Sequence, residues 1–249
     1  MNTFFNILFL SLIAGLATGL GGLIATIRRP DKRFFGFLMG FASGVMITLS
    51  FVDLIGETIR HKGILIAVLG FFIGSVLMFL LDIILPHIHF AHKKEKGIIN
   101  IGMYNIGLLI AIGIFIHNIP EGIVIGAGYV HLPAFGIMIA IAIGLHNIPE
   151  GIATVLPIFC SGITRKKAVK IAFLTGLAEP IGAIIAALFL VRFTSLVPMA
   201  LAMAGGVMVY ITLDELIPCA YTHGDKHFAS VGIIVGAVFM MLLSGLLGV

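Results

Sequence analysis

Long apolar stretches, joined by short polar connections, follow one another along the whole chain. A helix needs ~20 consecutive apolar residues to cross a bilayer. Stretches of about that length or longer stand at residues 4–27, 34–59, 63–90, 99–128, 132–160, 168–191, 197–221 and 228–248. The pattern predicts an all-α membrane protein with eight transmembrane helices in a single domain, residues 1–249.

The composition agrees with this pattern. Hydrophobic residues make up 60% of the chain, charged residues make up 10%, and the mean hydropathy is +1.19, which is far above a soluble domain. The first stretch has no basic segment before it and RRPDKR after it, so we predict a transmembrane helix; a signal peptide cleaved near Ala17 is the less favoured alternative. Cys160 and Cys219 are expected to be reduced, buried thiols rather than a disulfide or soft-metal pair.

Lysine and arginine residues are distributed unequally between alternate connections. Twelve of the 15 lie in one set, namely Arg28, Arg29, Lys32, Arg33, Lys93, Lys94, Lys96, Arg165, Lys166, Lys167, Lys170 and Lys226. The other set holds Arg60, Lys62 and Arg192. Basic loops are cytoplasmic, so we expect a multi-pass protein of the inner (plasma) membrane with both termini outside. Because topology accounts for the net charge of +4, no nucleic-acid partner is expected.

The hexapeptide HNIPEG occurs twice inside the apolar stretches, at residues 117–122 and 146–151. On a helix, His117 and Glu121 are four residues apart and share a face, with Asn118 on the neighbouring stripe. The second copy offers the same groups: His146, Asn147 and Glu150. Each helix can thus direct an imidazole, a carboxylate and an amide oxygen at one point.

Both copies are expected near the middle of the bilayer. If the turn between the two helices centres at residue 131, each histidine lies about 15 residues from it, or roughly 20 Å at ~1.5 Å per residue. Pro120 and Pro149 would free the carbonyls of Ile116 and Leu145. Irregular backbone at membrane depth is tolerated where it lines a polar cavity, so the two motifs can meet in such a cavity.

Acidic side chains at this depth need a counter-charge. An unpaired carboxylate inside a membrane costs at least ~2–3 kcal/mol. Glu179, in the AEP of the sixth stretch, joins Glu121 and Glu150, and no Lys or Arg stands at comparable depth. A dication is the simplest counter-charge, and this ligand set suits zinc and also iron, manganese or cobalt. The alternative is a structural network of hydrogen-bonded carboxylic acids.

Further residues indicate a route on both sides of this site. Asp53 and Glu57, in the outer part of the second stretch, would attract cations at an entrance. Met39 and Met46 share the face of Asp53, although ordinary helix packing explains the methionines equally. The cytoplasmic exit candidates are Asp82, His87, His89, His92, Asp214 and Glu215. The three histidines are also compatible with a plain interfacial position beside a basic loop.

The repeated hexapeptide also predicts symmetry. Neighbouring membrane helices run antiparallel, so a direct repeat in sequence becomes an inverted pair in space, as is common around transporter substrate sites. The second and seventh stretches share GVM, a threonine and an acid in a similar order. We therefore expect inverted-repeat pseudosymmetry.

The two HNIPEG motifs, together with AEP at 178–180, resemble the signature of the ZIP (Zrt/Irt-like protein) family of divalent metal transporters. The identical motifs and the short chain are most similar to the bacterial ZupT-like branch, and the resemblance covers essentially the whole chain. It implies a ZIP-type bundle that imports Zn²⁺ into the cytoplasm, with Fe²⁺, Mn²⁺, Co²⁺ and Cd²⁺ as further candidates.

The resemblance also implies a binuclear metal centre. One metal would be held by His117, Glu121, His146 and Glu150, and the second by Asn118, Asn147 and Glu179 with the two bridging glutamates. Transport would move spans one, four, five and six against the others, with Met39, Met46 and Asp53 lining the entrance. The bound ion would be the transported metal, and no organic cofactor is expected.

Two other classes of function stay open at this stage. An intramembrane zinc protease would carry H-E-x-x-H, and a di-iron oxidase would favour E-x-x-H pairs. The first motif is absent and the repeated order here is H-x-x-x-E, so we do not expect an enzyme. The other class is a non-transporting metal-binding membrane protein. The expected partners are divalent metal ions and the lipid bilayer, with a monomer and a homodimer both open.

Overall fold

A computed structural model of the chain describes residues 2–87, 100–189 and 194–247. Within these ranges the backbone is almost entirely helical, and the described residues contain no β-strand. The architecture is therefore all-α, as the hydropathy pattern predicted.

Ten α-helices form the described part of the chain. They are α1 (Asn2–Ala25), α2 (Lys32–Thr48), α3 (Gly56–His87), α4 (Ile101–His131), α5 (Pro133–Cys160), α6 (Arg165–Gly176), α7 (Ala178–Phe189), α8 (Val197–Ile211), α9 (Ile217–His223) and α10 (Lys226–Leu247). Two π-helical segments join neighbouring helices: the first π segment (Leu49–Ile55) joins α2 to α3, and the second (Thr212–Leu216) joins α8 to α9. A short 3₁₀ turn, Thr194–Leu196, precedes α8.

Seven helical segments of the described residues are long and apolar enough to cross a membrane, judged by length and composition. They are Thr3–Ala25, Lys32–Ile84, Ile101–Val130, Pro133–Cys160, Arg165–Leu188, Val197–His223 and Lys226–Leu247. The second of these is 53 residues long, because α2, the first π segment and α3 follow one another without a loop. Its helical geometry breaks at Gly63, where φ is 80° and ψ is 169°. Glycine adopts such a positive φ without a Cβ clash, so the chain can kink there.

Local sequence signals explain where several helices begin. Asp31 and Asn100 precede α2 and α4, and each side chain accepts a hydrogen bond from the backbone N–H three residues later. Pro133 lies in the first turn of α5, where its missing N–H leaves no bond unmade. Pro120 and Pro149 lie inside α4 and α5, and both helices continue through them.

Helices α1, α4, α5, α6 and α7 pack on one another as a first bundle. Gly122 of α4 lies against the carbonyl of Glu179 in α7, and Gly151 of α5 lies against the carbonyl of Thr18 in α1. A Cβ added at these glycines would stand 1.9 and 1.8 Å from those oxygens. Small residues permit such close backbone contacts between membrane helices, so the glycines fix how this bundle packs.

The other long helices form two close pairs, α2 with α10 and α3 with α8. Gly44 of α2 lies against the carbonyl of Ile233 in α10, and Gly206 of α8 lies against that of Phe71 in α3. The first π segment packs on α8 and joins the two pairs. We call these four helices, with α9 and the π segments, the second bundle.

Larger side chains fill most of the space between the two bundles. They form one buried apolar cluster, which includes Met39, Met46, Ile110, Ile114, Val155, Ile158, Met208 and Ile211. Met39 and Met46 are 0% and 1% exposed. The bundles therefore meet mainly through side chains, whereas helices within each bundle approach at glycines.

The two π segments follow α2 and α8 at matching positions in the sequence. When the GVM tripeptides of these helices are aligned without a gap, the second π segment falls within the first. Near the start of each segment, a side-chain hydroxyl donates to the carbonyl four residues earlier. Ser50 Oγ donates to the carbonyl of Met46 at 2.7 Å, and Thr212 Oγ1 donates to that of Met208 at 2.7 Å. Such bonds to the fourth preceding carbonyl often bend helices.

The packing at Gly122 leads to a test of the first bundle. Gly122→Ala should destabilise the protein by about 1–3 kcal/mol, because the new methyl group would have to displace the carbonyl of Glu179. Thermal unfolding in detergent should give a lower Tm than the unaltered chain. Gly245→Ala is the matched control, because no atom lies within 4 Å of a Cβ added there. Equal Tm values for the two variants would contradict the close packing of α4 on α7.

Candidate metal centre

The two HNIPEG segments face each other inside the first bundle. His117 and Glu121 lie on α4, and His146 and Glu150 lie on α5. The ligand atoms of His117, Glu121 and Glu150 all lie within 4.8 Å of one another. The four side chains are at most 3% exposed. The structure thus brings four metal-binding side chains from two helices into one buried cluster.

Glu121 lies between the two histidines. Its Oε1 is 2.8 Å from Nε2 of His117 and 2.9 Å from Nε2 of His146. Glu150 approaches from the other helix, with its Oε1 3.6 Å from Nε2 of His117. The four-residue spacing places His117 and Glu121 on one helix face, and the contact with His146 joins the two copies of the motif.

Within the part of the chain that the structure describes, several buried atoms of this cluster and of the adjoining Asn147 and Glu179 have no hydrogen-bond partner. They are Glu121 Oε2, Glu150 Oε1, Glu179 Oε2, Asn147 Oδ1, and Nδ1 of His117 and His146. A buried polar atom without a partner costs ~1–3 kcal/mol. The unpaired oxygens are electron-pair donors that could coordinate a cation. A purely structural hydrogen-bonded network would leave them unsatisfied.

The charge of the cluster also fits a cation. Among the described residues, the ion-pair partners of Glu121 and Glu150 are histidines, not Lys or Arg. Imidazole nitrogens with carboxylate oxygens, without a thiolate, are ligands that zinc and other divalent transition metals accept. The arrangement can therefore bind a divalent metal ion within the membrane.

A second group of polar side chains adjoins the first. Asn147 Nδ2 donates to Oε1 of Glu179 and, at 2.9 Å, to the carbonyl of Ala14 in α1. The amide of Asn118 lies beside Glu150: turned to satisfy its neighbours, its nitrogen donates to Glu150 Oε2 at 3.3 Å and to the carbonyl of Ile114 at 3.0 Å. Asn118, Asn147 and Glu179 are all 0% exposed. Each carboxylate of this group therefore has an amide next to it.

A cavity of about 520 Å³ connects this cluster with the end of the bundle near Gly63. Glu121 and His146 line its inner part, and Glu57, Arg60 and His61 line its mouth. Apolar side chains of α5, α8 and α10 form much of the remaining wall. An ion can therefore reach the buried cluster from one side of the protein.

The four entrance candidates lie in two different places. Asp53 and Glu57 line the cavity, and Asp53 Oδ2 accepts a hydrogen bond from Ser244 Oγ at 2.8 Å. Met39 and Met46 do not line it; they are buried in the apolar cluster between the bundles. Their shared face with Asp53 thus continues away from the cavity.

The exit candidates divide in a similar way. Ligand atoms of Asp82, Asp214 and Glu215 lie within 4.8 Å of one another, and Tyr210 donates a hydrogen bond to Asp82 Oδ2 at 3.2 Å. Asp214 and Glu215 belong to the second π segment. The side chain of His87, and all of His89 and His92, lie outside the described residues.

Some residues at these sites had no signal in the sequence. Ser244 contacts Asp53, although the two residues are 191 positions apart in the sequence. Ala14 contributes only its backbone carbonyl, so the identity of its side chain gives no signal. Tyr210 could have been found, because it precedes Asp214 by four residues and so shares its helix face. His61 could have been found by the same spacing from Glu57.

Comparison of the sequence with known proteins shows which family this chain resembles. The model of the ZIP zinc transporter family matches residues 84–244. A protein of Chlorobium limicola named zinc transporter ZupT is 38% identical over 266 aligned residues, which cover 98% of this chain and 100% of that protein. The zinc transporter ZupT of Oceanobacillus iheyensis is 40% identical over 93% of this chain and 94% of its own length. That of Akkermansia muciniphila is 38% identical over 95% and 96%.

The position of Glu121 between the two histidines leads to a binding test. Glu121→Gln keeps the shape of the side chain and removes its charge. We expect the Kd for Zn²⁺ to rise by about 100-fold or more, since loss of a ligand should exceed the ~10–100-fold effect of outer-shell changes. Isothermal titration in detergent measures this. Asp225→Asn, which keeps the oxygen that caps α10, should bind like the unaltered chain. Unchanged affinity in Glu121→Gln would remove this residue from the metal centre.

Proposed function

The chain belongs to the ZIP family of zinc transporters, and from this premise we propose that it imports Zn²⁺ into the cytoplasm through the buried cluster of the HNIPEG motifs. The observation that supports this most is the buried set of unpaired oxygens and imidazoles at the inner end of a cavity. A purely structural role does not require unpaired oxygen and nitrogen atoms that an ion can reach. The named relatives are transporters, which supports a transport role rather than catalysis for this chain.

We propose a binuclear centre within this cluster. His117, Glu121, His146 and Glu150 would hold one ion, and three contacts of 2.8–3.6 Å that link them, from His117 to each glutamate and from His146 to Glu121, support that grouping. Asn118, Asn147 and Glu179 would complete a second position with the two glutamates, with the Asn118 amide turned on metal binding so that Oδ1 and not the nitrogen faces Glu150. The unpaired Oδ1 of Asn147 and Oε2 of Glu179 support this position. Fe²⁺, Mn²⁺, Co²⁺ and Cd²⁺ are further candidate substrates, because the same ligands accept them.

We propose eight membrane crossings with both termini outside. The 53-residue segment Lys32–Ile84 would span about 80 Å as one helix at ~1.5 Å per residue, which far exceeds a hydrocarbon core of ~30 Å. A reversal at Gly63 turns it into two crossings. The basic residues Lys62 and Arg60 beside Gly63 are few, while the segments around the start of α2 (residues 28–33) and at the start of α6 (residues 165–170) are rich in Lys and Arg, which supports cytoplasmic positions for these two segments.

The matching π segments support an inverted repeat. They share position, preceding GVM and the same hydroxyl-to-carbonyl bond. The packing also matches: α2 packs on α10 at Gly44, and α8 packs on α3 at the aligned Gly206. Spans two and seven are thus equivalent, and spans three and eight are their equivalent partners.

In the proposed cycle the first bundle moves against the second. The ligands lie on α4, α5 and α7 of the first bundle, while α8, α10 and the first π segment of the second supply part of the cavity wall. The cavity opens on the side of Glu57 and His61, which is the outer side in the proposed topology. Movement would open the other side towards Asp82, Asp214 and Glu215, which we propose as the exit.

The driving force is the gradient of the metal and the membrane potential. An inside-negative potential contributes ~2.3 kcal/mol per charge per 100 mV, and about twice that for a dication. The sequence contains no G-x-x-x-x-G-K-[ST] motif for ATP.

The topology has a direct test at Gly63. In a chain with Cys160→Ser and Cys219→Ser, Lys62→Cys should react with a membrane-impermeant maleimide in intact cells, because an eight-crossing topology places it outside. Lys166→Cys should react only after lysis. Labelling at both positions in intact cells, or at neither, would contradict the proposed topology.

The transport function has its test in liposomes. The purified chain should catalyse saturable Zn²⁺ uptake, measured with an internal fluorescent indicator, and the rank order among Zn²⁺, Cd²⁺, Mn²⁺ and Fe²⁺ would identify the substrates. The Glu121→Ala/Glu150→Ala variant should lose about 90% or more of the rate, since it lacks two ligands. Asp225→Asn should retain the rate. Absence of uptake by the unaltered chain across a range of pH and potential would overturn the transport assignment.

A further inference from the structure

A second glutamate and histidine with four-residue spacing lie at the mouth of the cavity. Glu57 and His61 both belong to the first two turns of α3, and both line the cavity that reaches Glu121 and His146. Nε2 of His61 is 2.7 Å from Oε1 of Glu57. This is close to the 2.8 Å between His117 and Glu121 in the buried cluster.

We propose that Glu57 and His61 form an outer binding site for a divalent transition-metal ion, which holds the ion before it reaches the buried cluster. The site rests on the transport function proposed above and extends it with a ligand, His61, that lies outside the HNIPEG and AEP motifs. It differs from a mouth that is merely acidic, because an imidazole selects transition metals over Ca²⁺ and Mg²⁺.

The geometry of the pair permits coordination with small movements. Tetrahedral coordination with bonds of ~2.0–2.2 Å places two ligand atoms about 3.4 Å apart, so Nε2 and Oε1 need to separate by less than ~1 Å from their present contact. The side chains of His61 and Glu57 are 63% and 36% exposed. They can rotate without repacking a core, and water can complete the coordination sphere.

A buried oxygen further along the cavity also indicates a passing cation. Asp53 stands four residues before Glu57 and lines the same cavity. The residue is 8% exposed, and its Oδ1 has no hydrogen-bond partner. His61, Glu57 and Asp53 therefore follow one another from the mouth inward, and an ion released by the first two meets an unpaired carboxylate oxygen next.

Arg60 limits how tightly the outer site can bind. Its Nη2 is 2.5 Å from Oε2 of Glu57, so the guanidinium competes with the metal for the carboxylate. A site in the path of transport must release its ion, and this competition weakens its hold. Arg60→Gln should therefore tighten the outer site, whereas His61→Ala should weaken it.

Zn²⁺ binding at the outer site can be measured in a variant that lacks the central site. In the Glu121→Ala/Glu150→Ala variant, checked for folding by its thermal transition, titration with Zn²⁺ should show a weak site at the mouth, beside any binding by the Asp82, Asp214 and Glu215 cluster. Adding His61→Ala should remove that weak site, and adding Arg60→Gln should tighten it by about threefold to tenfold. Adding His227→Ala, an exposed histidine elsewhere, should change nothing. A titration curve that His61→Ala leaves unchanged would overturn the proposal.

Transport by the otherwise unaltered chain gives a second measurement. His61→Ala should raise the KM for Zn²⁺ by about threefold to tenfold with little change in the maximal rate. The reason is that a capture site affects how often an ion binds from solution and not the later steps of transport. Lys62→Ala, at the neighbouring exposed position, should not raise it. An unchanged KM in His61→Ala would count against the outer site while leaving the central function intact. If the unaltered chain does not transport at all, the titration still decides whether the outer site exists.

Discussion

Three carboxylates are buried in an apolar bundle and have no lysine or arginine partner among the residues that the structure describes. They impose the constraint on which the rest of this structure depends. Glu121, Glu150 and Glu179 are at most 2% exposed, and each keeps an oxygen without a hydrogen-bond partner. Charges in such a place require an opposite charge and complete hydrogen bonding. Histidines and asparagines supply part of this, and a metal ion bound at the proposed centre would supply the remainder. The fold therefore carries its strongest local penalty where an ion can relieve it.

The position of this cluster follows from how the helices pack. Gly122 and Gly151 each follow a ligand glutamate and allow α7 and α1 to approach the backbone of α4 and α5. The same close approach brings Glu179 next to Asn147 and the carbonyl of Ala14 next to its amide. Glycine in the motif thus places neighbours around the ligands, while proline and the four-residue spacing direct the ligands themselves. The arrangement of the cluster therefore depends on the glycine as well as on the proline and the four-residue spacing.

Much of this could be predicted from the sequence, because hydropathy and helical spacing are local. The all-α architecture and the shared helix face of His117 and Glu121 needed only the periodicity of a helix. Contacts between distant segments could not be predicted: Ser244 pairs with Asp53 only because α10 packs beside the first π segment. The methionines illustrate the same gap. Met39, Met46 and Asp53 share a face by spacing, yet Asp53 lines the cavity and the methionines pack in the apolar core, because spacing gives a direction and not a depth.

The division into two bundles agrees with the proposed cycle, in which one cluster serves two sides of the membrane. The HNIPEG ligands and Glu179 lie within the first bundle, where glycine contacts hold α4, α5 and α7 together. Part of the cavity wall belongs to the second bundle, which meets the first mainly through apolar side chains of buried residues. Apolar side chains offer many arrangements of similar energy, whereas backbone contacts at glycine offer few. In the proposed cycle, a shift between the bundles would change the wall and leave the ligand geometry intact, so the same set of ligands could face first one side and then the other.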